Sequence, residues 1–93
     1  MSAKSERQAA RDAIAAYHEA RLSELMAHVG QAIDSFRAGE LNAYAADQVL
    51  QQYSRSAKEL WKFWNLTPVE LAAQAARDQP TTDWWEQGAP RRL

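Results

Sequence analysis

His18 and His28 are the two histidines of this 93-residue chain, and histidine is the side chain best suited to acid–base work or metal binding near neutral pH. Ten positions apart on a helix, they point about 80° away from each other. A carboxylate-bridged di-iron bundle needs a glutamate three residues before each ligand histidine, and Ala15 and Leu25 stand there instead. The pair His18-Glu19 is followed by Leu22, where a zinc protease helix carries its second histidine. Glu24 precedes His28 by four residues and reads as an exposed stabilising partner worth a few tenths of a kcal/mol. Cysteine is absent, which removes disulfides, thiolate metal sites and a cysteine nucleophile. There is no nucleophile elbow, glycine-rich phosphate loop or carboxylate pair in apolar surroundings. The expectation is no catalytic residue, no metal and no cofactor.

Composition narrows the class further. Apolar residues make up 46% of the chain, but 19 of them are alanine, leaving about two dozen to build a core. A domain this small buries only about two-thirds of its unfolded surface, so a second chain is the natural complement. Eleven basic residues against 12 acidic ones give a net charge of −1, which rules out a strongly basic nucleic-acid glove. No apolar run approaches the roughly 18–20 residues of a membrane span, and the opening Met1 to Glu6 lacks a signal-peptide core. A cytoplasmic protein is expected. Rich in alanine and arginine but with only three lysines, the composition points to a GC-rich bacterial source.

Breakers are sparse and strong helix formers fill the intervals, so the fold is expected to be all-α and a single domain over 1–93. A first helix is predicted over about 5–38. Its apolar stripe contains Ile14, His18, Leu22, Leu25, Met26, Val29, Ile33 and Phe36, and Gly39 ends it. Gly30 is read as a soft spot in a continuous helix or as a point of close approach. Asn42 caps a second helix over about 42–64, with a stripe from Ala46 through Leu50, Tyr53, Ser56 and Leu60 to Trp64. The short connector between them predicts an antiparallel helical hairpin pairing position i with roughly 81 minus i. Thr67-Pro68-Val69-Glu70 reads as a capping box, with Leu66 and Leu71 as a hydrophobic staple. It opens a third helix over about 68–78, which Pro80 stops. Thr81 or Thr82 would cap a short aromatic turn over 82–87, and 88–93 reads as a flexible tail.

His18 then falls opposite Phe63, near Leu60, Trp61 and Trp64, with Tyr17 and Arg21 on its flank. Two readings stand: an aromatic-walled pocket of Tyr17, His18 and Arg21, or a core histidine against tryptophan. Trp61 and Phe63 diverge by about 160°, so one of them must meet another element or another chain. Trp61, Phe63, Trp64, Trp84 and Trp85 form the candidate interaction surface, since tryptophan, tyrosine and arginine dominate binding energy at interfaces. Folding the C-terminal turn back would instead plug the open end of the hairpin with Trp84 or Trp85. Arg55, Lys58 and Glu59 read as a solvated face.

The stretch Leu66-Thr67-Pro68-Val69-Glu70-Leu71-Ala72 resembles the opening of helix-turn-helix motifs. That resemblance implies a DNA-associated transcriptional regulator using 67–86. The pattern departs at Ala76, where the turn glycine falls, at Gln79, Thr82 and Trp85, where small apolar residues belong, and at Pro80 inside the recognition helix.

The favoured expectation is a small, non-enzymatic interaction or adaptor module, with regulation of a larger partner among its roles. Ala10, Tyr17, Ala32, Tyr44, Ala45 and Phe63 flank the stripes as apolar edges that two layers leave uncovered. They predict a homodimer forming a four-helix bundle, with a further, unidentified protein partner. The regulator is the second reading, and a ligand-binding module around His18, Trp61 and Trp64 the third. Neither nucleic acid nor membrane is expected as a partner.

Overall fold

The structure is a computed structural model that describes residues 3–77 and 82–90. Among these it is 86% helical and contains no strand. Four helices follow in order: α1 (Ala3–Arg37), α2 (Ala43–Leu66), α3 (Val69–Arg77) and α4 (Trp84–Gln87). None is long and apolar enough to cross a membrane. The predicted end of the third helix at Asp78, its stop at Pro80, a cap by Thr81 and the last tail residues 91–93 lie outside the described residues.

Local chemistry explains most boundaries. Gly39 takes φ +78°, the conformation that lets a helix end sharply. The N–H of Gly39 donates to Phe36 C=O at 3.1 Å, and that of Glu40 to Ser35 C=O at 2.9 Å. Asn42 Oδ1 accepts from Ala45 N–H at 2.8 Å and caps α2. At α3 the expected capping box does not form, because neither the Thr67 hydroxyl nor the Glu70 carboxylate makes a hydrogen bond. Leu66 and Leu71 both stay exposed. The cap of α4 is Asp83, whose carboxylate accepts from the N–H groups of Trp85 and Glu86, rather than Thr82.

α1 and α2 pass each other in opposite directions. Tyr17 meets Phe63 with ring centroids 5.8 Å apart, and His18 meets Trp64 at 5.8 Å. Farther along, Ala32 and Val49 line one hollow. Each pair sums to within one residue of 81.

α3 then returns along α1, burying Ala72 and Ala73 against Ala10 and Ile14, with Phe63, Trp64 and Val69 around them. α4 lies on the neighbouring stretch, where Trp84 and Trp85 pack on the cluster of Tyr17, Leu25 and Leu60. The flank of Ala10, Tyr17, Ala32 and Phe63, read from sequence as uncovered, is therefore the covered one. Alanines at 10, 72 and 73 let α3 approach α1 closely, and the tryptophans of α4 fill the space beside Tyr17. Tyr44 remains 84% exposed. At Gly30 nothing lies within 4 Å of where a side chain would begin. The helix is unbroken there, and no neighbour approaches.

Candidate functional site

The side chains singled out by type and spacing fall on two different sides of the α1–α2 pair. On the first side, Trp84 Nε1–H donates to the Tyr17 hydroxyl at 2.8 Å, and the Trp84 ring tilts against Phe63 at 5.5 Å. Trp85 stacks flat on His28, with centroids 4.0 Å apart and planes within 6°. His28 thus does not partner Glu24. That carboxylate binds Arg21 Nη2 at 3.1 Å, and the Arg21 guanidinium sits 5.3 Å from the Tyr17 ring centroid. Arg21 Nε is buried without a hydrogen-bond partner.

Three side chains of α2 hold α4 in place. Gln52 Nε2 and Ser56 Oγ both donate to Trp85 C=O at 3.0 Å, and Arg55 Nε donates to Gly88 C=O at 2.6 Å. Spaced at i, i+3 and i+4, they share one face and bond the Gly88 carbonyl and the Trp85 carbonyl, which also accepts from Gly88 N–H at 3.1 Å. Ser56 is fully buried. Arg55, read from sequence as part of a solvated face, is committed to the backbone of the C-terminal turn. Gly88 lies so close to α2 that an added Cβ would meet Ser56 and, at 2.7 Å, Gln52 C=O. Nothing in the local sequence pattern marks this clasp, because its donors and acceptors are about 30 residues apart.

On the second side, His18 presents its ring edge-on to Trp64. Ala15, Glu19 and Leu22 complete a shallow hollow of about 270 Å³. Burial pushes the His18 imidazole below its usual pKa of 6.5, with the neighbouring Glu19 carboxylate working weakly against that shift. Tyr17 is buried on the α4 side, so Tyr17 and Arg21 do not line this hollow with His18. Of the five aromatic residues grouped as an interaction surface, Trp61 is 53% exposed. Phe63, Trp64, Trp84 and Trp85 are half-buried, and the last two fold back on the flank of the helix pair rather than its open end.

Along this second side runs a band of apolar groups with no helix over it. α1 supplies Leu22, Met26, Val29, Ile33 and Phe36, all within about 80° of one another around the helix. α2 supplies Leu50, Ala57, Trp61 and Trp64. Met26, Phe36 and Leu50 are 54%, 46% and 40% exposed. These are the larger residues of the sequence-derived stripes. Each stripe is split, one edge forming the seam between α1 and α2 and the other facing outward.

Where the helix-turn-helix resemblance would place a recognition helix, α3 ends at Arg77, and residues 78–81 lie outside the described residues. α4 then contributes four residues whose Trp85 is occupied by His28. No group of three or more metal-ligating side chains comes together among the described residues. No family model, curated protein or solved structure matches the chain.

Proposed function

We propose that this chain is a non-enzymatic interaction module that pairs with a second copy of itself, two helical hairpins closing into a four-helix bundle. The band of exposed Met26, Phe36, Leu50 and Trp61, continued by half-buried Leu22, Val29, Ile33 and Ala57, carries the reading. Single exposed apolar residues are ordinary, but a contiguous band is the mark of an interface. The band runs from Leu22 to Phe36 on α1 and from Leu50 to Trp64 on α2, about 21 Å along each helix, and two helices side by side span about 20 Å. That gives about 400 Å² per copy, at the small end for a specific interface. Aliphatic and aromatic groups line it, with His18 and Glu19 at one end, so a second identical band is its best chemical match.

Sedimentation equilibrium tests the reading directly. The expected mass is twice 10.5 kDa at micromolar concentration. M26E/L50E replaces two side chains already half in water, so the single chain keeps its helicity while the dimer falls apart. A wild-type mass of 10.5 kDa at every concentration up to about 100 μM, where weak contacts also populate, overturns the proposal.

A further inference from the structure

Although the chain as a whole is nearly neutral, its cations are not evenly spread. Arg55, Lys58 and Lys62 lie on one side of α2, within about 60° of each other. With Ala89 and Pro90 from the end of the chain they line a groove of about 430 Å³. Glu59 also lines it and is taken up by Lys62 at 3.3 Å. Lys58 has no acidic partner among the described residues. Arg55 spends its Nε on Gly88 C=O, which holds its charge at the groove wall without neutralising it. Three of the 11 basic residues thus line one groove.

We infer that this groove between α2 and the C-terminal turn is a docking site for an acidic, extended segment of a partner protein. Arg55, Lys58 and Lys62 rise by about 4.5 and 6 Å along the helix, less than the roughly 6.6 Å between alternate side chains of an extended chain, a difference that long, flexible cationic side chains can span. Ala89 and Pro90 offer an apolar wall to the residue between two carboxylates. Gln87, also on the groove, can bond an amide of the incoming backbone. No aromatic ring among the described residues lines the groove to stack a base, which favours a peptide over a nucleic acid strand. The groove lies about a third of a turn around α2 from the band of Leu50, Ala57 and Trp61. It stays open whether or not two copies pair, so it stands independently of self-association.

The probe is a fluorescein-labelled hexapeptide of alternating aspartate and leucine, titrated with the full chain and followed by anisotropy. Binding of one peptide per chain is expected, weakening as NaCl is raised from about 50 to about 300 mM. K58E/K62E should lower the affinity by roughly tenfold or more while helicity by circular dichroism is unchanged. Arg55 is left alone because it holds α4. The inference is overturned if a peptide of alternating serine and leucine binds equally well, or if K58E/K62E binds like the wild type. It is also overturned if a single-stranded oligonucleotide of equal charge displaces the peptide at lower concentration.

Discussion

Gly88 and Ser56 sit closer than any side chain at position 88 would allow, and this contact sets how α4 docks. The backbone at Gly88 has φ −96° and ψ 3°, which alanine adopts without strain, so only space demands glycine here. G88A should lift α4 away from α2 and loosen the bonds of Gln52, Ser56 and Arg55 together. A loss of about 1–3 kcal/mol is expected, as for an overpacked core. Urea unfolding followed by circular dichroism measures it, and tryptophan emission should shift to the red as Trp84 and Trp85 meet water. An unchanged midpoint and spectrum would show that α4 is not held as described.

Gly30 gives the opposite case. It is exposed in mid-helix with no neighbour within 4 Å, so G30A adds helix propensity at no steric cost. A gain of up to about 1 kcal/mol is expected, read as a higher urea midpoint. A loss would mean that another copy or partner approaches there. The contrast between two glycines of one chain separates conformational from steric reasons for the residue.

The contrast also locates what could be read from sequence. Gly39, Asn42 and the register of α1 against α2 follow from local rules: a left-handed cap, an N-cap oxygen and a short connector. The buried side of α1 does not. Side-chain size picks out the stripe of Leu22, Met26 and Ile33, whereas the structure buries Ala10, Tyr17 and Ala32 alongside Ile14 and Leu25. Alanine scores as weakly apolar, yet its small volume is what lets α3 close on α1. The clasp on α4 was hidden for another reason. Gln52, Arg55 and Ser56 look like an ordinary polar face until the carbonyls of Trp85 and Gly88, far along the chain, are brought to them. Phe63 was the useful hint, since its divergence from Trp61 required a second neighbour, and α4 supplies it.

The Tyr17–Trp84 hydrogen bond joins the first helix to the last. Y17F keeps the ring against Phe63 and removes only the hydroxyl, leaving the Trp84 indole N–H without its acceptor in a half-buried site. A destabilisation of about 1 kcal/mol is expected. If the bond matters for docking α4, hydrogen exchange should quicken at the backbone amides of 84–88 and not at those of α3. Equal acceleration in both helices would assign the hydroxyl a general role in stability instead.

His18 should make stability and self-association depend on pH. Burial lowers its pKa in the folded chain below 6.5, so the neutral imidazole is the form the fold prefers. The unfolded chain binds the proton more readily between the lowered value and 6.5. The stability that His18 contributes is therefore complete above about pH 6.5 and is lost as pH falls through the folded value. Around the ring stand Trp64 from α2 and, as the one charged neighbour among the described residues, Glu19 from α1. Packing a second copy over the hollow would bury the ring further and press in the same direction, so acid should dissociate the dimer. Sedimentation at about pH 7.5 and pH 5 is expected to show a weaker dimer at the lower value. H18L should flatten the difference and raise the affinity at pH 5. If H18L responds to pH as the wild type does, the dependence arises elsewhere and the band of Leu22 and Met26 closes without reference to His18.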